Sequence, residues 1–127
     1  MKRTVTNLSL LFLVMIGLLY GQDVLANKSA TSIEVPESIT KGSELTIRVT
    51  VTHNANNFIH HTKWLQVMVN GKEIARWDYT MTQLPEGATF TKEIKYKAEG
   101  DIEIKAEASC NIHGSAGPST AKVLVKE

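Results

Sequence analysis

Three features of the sequence predict an all-β sandwich of about seven short strands after an N-terminal signal helix. Apolar and polar side chains alternate at period two in several segments, the mark of strands with one buried face. Turn residues punctuate those segments at the spacing of a sandwich. Beyond residue 26, no stretch keeps a 3.6-residue apolar period over three turns.

The leader comes first. Lys2 and Arg3 precede a 13-residue apolar run, Leu8 to Tyr20, and Val24-Leu25-Ala26 closes it with a small residue. A basic start, a hydrophobic middle and a small-residue end make a secretory signal, and the run is short of the roughly 20 residues that span a bilayer; an uncleaved membrane anchor is the alternative reading, and Ala30 the alternative cleavage point to Ala26. Residues 1–26 are therefore read as a signal peptide and 27–127 as one exported domain, periplasmic or extracellular, meeting the membrane only during export.

Within that domain a short Ile33-Val35 strand ends at Pro36. Leu45, Ile47, Val49 and Val51 alternate with Thr46, Arg48, Thr50 and Thr52 in the clearest half-buried strand. Trp64 to Val69 is followed by Asn70-Gly71, a dipeptide that accepts the positive φ of a two-residue hairpin, and Lys72 to Tyr79 returns as its partner. Leu84-Pro85-Glu86-Gly87 is a loop. Ala88 to Ala98 is a further strand with imperfect alternation, and Glu99-Gly100-Asp101 a turn. Ile102, Ile104, Ala106 and Ala108 form the next inward face, Gly114 to Pro118 loops, and Ala121, Val123 and Val125 complete the set. The architecture is an immunoglobulin-like sandwich without the two-cysteine core of antibody domains.

Charge and cysteine content narrow the function. The whole chain carries a formal net charge of +1, and residues 27–127 balance their acids and bases, which argues against nucleic acid and against a polybasic membrane surface. Cys110 is the one cysteine, so no internal disulfide staples the fold, and an unpaired thiol in an exported chain calls for a purpose.

The four histidines fall in two clusters near turns. His53 lies seven residues before His60-His61, across the polar Asn54 to Asn57 segment, and His113 follows Cys110 by three with Gly114 behind it. A loop over Asn54–Asn57 would bring His53 and His60 together. Adjacent His60 and His61 point to opposite faces of an extended backbone, so one of them at most joins the other cluster. Cys110 and His113 in a strand-to-loop turn can reach one ion. A thiolate with three imidazoles suits iron, zinc or copper; blue copper loses ground because no methionine follows Cys110. Taken without the metal, the same residues read as a buried thiol and a solvated polar loop. No Ser-His-Asp order, carboxylate pair or phosphate-binding glycine loop is present.

The elements His53…His60-His61-Thr62-Lys63-Trp64 and Cys110-Asn111-Ile112-His113-Gly114, with Lys41-Gly42-Ser43-Glu44 ahead of the long strand, resemble the ferrous-iron domain of superoxide reductases, neelaredoxin and desulfoferrodoxin. The resemblance runs from about Pro36 to the C-terminus. It implies a mononuclear Fe(II)/Fe(III) centre with four equatorial histidines, an axial thiolate and an open sixth position. It also implies superoxide as substrate, hydrogen peroxide as product and an external electron donor. By motif, His53, His60 and His113 match equatorial ligands and Cys110 the axial sulfur, His61 points away, and Trp64 packs near the metal loops. The family's remaining histidine, in a Glu-Lys-His segment, has no counterpart in Asn27 to Val35, and its lysine has only Lys28 as a loose positional match. The His53–His60 gap is one residue longer, with Asn54 where proline is common.

Two other readings use the same residues. A closed three-His, one-Cys site would hold zinc or copper, or iron, without catalysis, and an accessory sandwich of an exported redox system would use Cys110 as an attachment thiol.

Overall fold

A computed structural model describes residues 27–127; the signal helix read from residues 1–26 lies outside them. The described residues form eight strands: β1 (Ala30–Glu34), β2 (Ser38–Thr40), β3 (Glu44–Thr52), β4 (Thr62–Val69), β5 (Lys72–Asp78), β6 (Thr89–Lys97), β7 (Ile102–Cys110) and β8 (Ser119–Lys126). They build a three-stranded sheet ordered β1-β3-β6 and a five-stranded sheet ordered β2-β8-β7-β4-β5. All pairs are antiparallel except β2 with β8.

The strand beyond the expected seven is β2. Three residues are too few to show alternation, and their parallel partner lies at the far end of the chain, with Ile39 opposite Val125. The first strand begins at Ala30, ahead of the expected Ile33. Asn70 (φ 50°) and Gly71 (φ 81°) both take the left-handed region, so the β4–β5 hairpin has the predicted turn.

The core follows the alternation. Leu45, Ile47, Val49 and Val51 of β3 face Leu65, Val67 and Val69 of β4 and Ile102, Ile104, Ala106 and Ala108 of β7, with Phe90 and Val123 closing the layer. Threonines and charged residues between them face outward, so a one-residue slip in register would expose the whole core.

This topology brings four chain segments to one end. Pairing of Ala30 with Thr52 sets the start of β1 beside the end of β3. Pairing of Thr62 with Cys110 sets the start of β4 beside the end of β7. The residues just outside these strand ends are Asn27 to Ser29, His53, His60-His61 and Asn111 to Gly114.

Candidate metal centre

Each histidine-bearing loop is held by asparagine. Asn57 Oδ1 accepts the N–H groups of Ile59 (3.0 Å) and His60 (2.9 Å), and its own N–H donates to the His60 carbonyl (2.9 Å). Asn56 Oδ1 accepts from the Thr62 N–H at 2.6 Å while its amide nitrogen donates to the Gly87 carbonyl. The Asn54–Asn57 segment thus curls back, as the spacing predicted, and the His53 and His60 rings meet edge to face with centroids 4.6 Å apart.

The second loop closes on the first through Asn111. Its backbone N–H donates to the His61 carbonyl (3.0 Å), its side-chain nitrogen to the Ile59 carbonyl (2.9 Å), and its Oδ1 accepts from the His61 N–H (3.0 Å). Gly114, at φ 81°, turns the chain so that its N–H and carbonyl pair with Cys110 across the loop. Within this turn the Ile112 and His113 N–H groups both point at Cys110 Sγ, each at 3.4 Å, two dipoles that offset negative charge on the sulfur.

Ligand atoms of His53, His60 and Cys110 lie within 4.8 Å of one another. His113 joins from the rim, with Nδ1 at 3.8 Å from Cys110 Sγ and 3.1 Å from His60 Nε2. Cys110 and His53 are buried, His60 is half-buried and His113 is exposed, so the cluster opens to solvent on the His113 side. His61 turns away: its ring is buried and its Nδ1 bonds the Asn57 carbonyl at 3.0 Å. Trp64 is half-buried, with the Arg76 guanidinium 5.3 Å from its ring centroid.

The donor chemistry fits a transition metal. One sulfur and several imidazoles, with no carboxylate in the group, suit iron, zinc or copper far better than calcium or magnesium. Imidazoles must be neutral to bind, and the His60 pKa is pulled below its usual value, first by burial and then by the neighbouring His53 and His113 rings.

Asn27, Asn56 and Asn111 are the site residues that sequence reasoning missed. Asn111 had a signal, its place between Cys110 and His113; Asn56 sat in a segment that reads as an ordinary polar loop. Asn27 has no signal in the sequence: the β1–β3 pairing and the contacts of Ser29 with Thr62 and Gly114 bring it to the cluster, where its carbonyl lies 3.2 Å from His53 Nε2.

A β-sandwich with a thiol and imidazoles gathered at one tip defines a candidate metalloprotein. Its sequence matches the model of the Desulfoferrodoxin family over residues 22–115, and the chain belongs to that family, for which a mononuclear iron centre is the implied cofactor. Among solved structures, the superoxide reductase (neelaredoxin) of Ignicoccus hospitalis is similar at 19% identity and TM-score 0.63, covering 78% of this chain and 82% of that one. A Thermotoga maritima protein described as a candidate superoxide reductase is similar at 27% identity and TM-score 0.58, covering 77% and 86%. Fibronectin(III)-like modules of Clostridium thermocellum CbhA share the fold at 18% identity and TM-score 0.52, covering 76% and 96%. No curated protein matches the chain.

Proposed function

We propose that the protein is an exported iron protein that reduces superoxide to hydrogen peroxide, with His53, His60 and His113 as imidazole ligands and Cys110 as the thiolate. The observation that carries this reading is the convergence of His53, His60 and Cys110 from three separate strand ends. Family membership supports iron as the ion. When bound, ferrous iron supplies the one electron that, with two protons, converts superoxide to hydrogen peroxide, and an external donor restores it.

The chain's own residues have distinct tasks. Cys110 is buried against the sandwich, which keeps its sulfur dry and away from casual oxidation. The Ile112 and His113 amides steady that sulfur, and Asn56 and Asn57 orient the loop that carries His60. His113 sits at the solvent-facing edge, where a small anion can enter. With one cysteine in the chain, no second Cys₄ iron centre forms within it, so electrons come from another molecule.

Iron-loaded protein, once oxidised, should be blue from a ferric thiolate band and should consume a superoxide pulse without releasing oxygen. Cys110→Ser should lose the band. Iron-bound protein that lets the pulse decay at the uncatalysed rate would refute the reading.

A second reading, a closed zinc site without redox chemistry, is favoured by one observation: three imidazoles and a thiol already make a tetrahedral set. Metal analysis of untagged protein separates the two, since tetrahedral zinc with no visible band supports the second. The burial of Cys110 counts against a role as an attachment thiol.

A further inference from the structure

The absent fourth histidine leaves one side of the cluster facing the segment that enters the domain. That segment is pinned in place. Ser29 is fully buried, with its hydroxyl 2.8 Å from Thr62 Oγ1, its N–H donating to the Gly114 carbonyl (3.3 Å) and its carbonyl accepting from Ala116 (2.9 Å). It is therefore tied to the start of the His60 strand and to the Cys110 loop. Two residues earlier, the Asn27 side chain accepts a hydrogen bond from Asn54 and its backbone carbonyl faces His53 Nε2 at 3.2 Å.

The bonding around His53 is unbalanced. Its Nδ1 faces Asn56 Oδ1 at 3.4 Å, an oxygen whose orientation the Thr62 N–H fixes, and its Nε2 faces the Asn27 oxygen. Both partners are acceptors, and a neutral imidazole has one N–H to give. The Asn27 oxygen therefore meets either an N–H or a lone pair at Nε2, according to which ring nitrogen carries the proton. At 3.2 Å apart, Nε2 and the Asn27 carbonyl oxygen are close enough to bond one ion seated between them.

We infer that Asn27 stands in for the missing histidine, binding the metal through its backbone carbonyl oxygen and, once residues 1–26 are removed, through its α-amino nitrogen. Oxygen, carbonyl carbon, Cα and nitrogen of one residue close a five-membered ring with the ion. The inference rests on the metal reading above and on cleavage after Ala26, which would make Asn27 the first residue of the mature protein. The leader then does more than address the chain: its removal creates a ligand.

The test uses the full chain with its leader, exported from an asparagine-auxotrophic host fed [α-¹⁵N]asparagine. The mature protein is loaded with ferrous iron, oxidised and read by electron–nuclear double resonance. The expected result is an intact mass beginning at Asn27 and one strongly coupled ¹⁵N. One alanine inserted between Ala26 and Asn27 should abolish that coupling and weaken iron binding about tenfold or more, the scale on which metal sites lose affinity with a supporting group. Bound iron with the thiolate band but no coupled ¹⁵N overturns the Asn27 ligand and leaves the His/Cys centre standing. A mature chain that begins beyond Asn27 and still binds iron overturns it equally. Neither iron nor band overturns both readings.

Discussion

Replacing Asn111 by alanine tests whether the two metal loops are one unit. The side chain makes two bonds between them, Nδ2 to the Ile59 carbonyl at 2.9 Å and Oδ1 from the His61 N–H at 3.0 Å, while its main-chain bond to His61 survives truncation. Ile59 is exposed, so water replaces part of the first bond, which is worth about 0.5 kcal/mol. His61 is buried, so its stranded N–H costs about 1–2 kcal/mol. The total of about 2 kcal/mol corresponds to a fall in Tm of about 8–16 °C for a domain of this size. The assay is thermal unfolding of metal-free protein together with iron titration. Asn70→Ala is the control: it removes two side-chain bonds at the β4–β5 turn, to the Asp101 carbonyl (3.1 Å) and from the Glu103 N–H (2.8 Å). It should lower Tm without changing iron affinity, whereas Asn111→Ala should lower both. An Asn111→Ala protein that melts within about 2 °C of the parent and binds iron equally well would refute the reasoning.

Three further outcomes follow from the same geometry. His113→Gln should weaken iron binding, while His61→Gln, which loses only the bond to the Asn57 carbonyl, should keep the iron and its band at a cost of about 1 kcal/mol in stability; visible spectra and iron stoichiometry distinguish them. The depressed His60 pKa means the unfolded chain binds more protons than the folded one just below the ordinary histidine value. Metal-free protein should therefore lose stability as pH falls from about 6.5 toward the lower folded-state pKa, and His60→Gln should flatten that slope in melts recorded across pH. Ile47→Ala, at a fully buried position in β3, should cost about 2–5 kcal/mol through the cavity it leaves, measured by denaturant unfolding.

What the sequence determined by itself is whatever depends on local periodicity and residue chemistry. The inward faces of β3, β4 and β7 could be read because a strand places every second side chain in the core, and Asn70-Gly71 could be read because few other pairs accept its backbone angles. His53, His60, Cys110 and His113 could be singled out because sulfur and imidazole are rare and were gathered in two short motifs. Their meeting at one tip was decided by the pairing of Thr62 with Cys110 and of Ala30 with Thr52. Such pairings join residues tens of positions apart, and no short-range pattern encodes them. The same holds for β2, whose parallel partner is at the other end of the domain, and for Asn27. A backbone carbonyl carries no mark in the sequence, and only the folded chain brings it to the His53 ring.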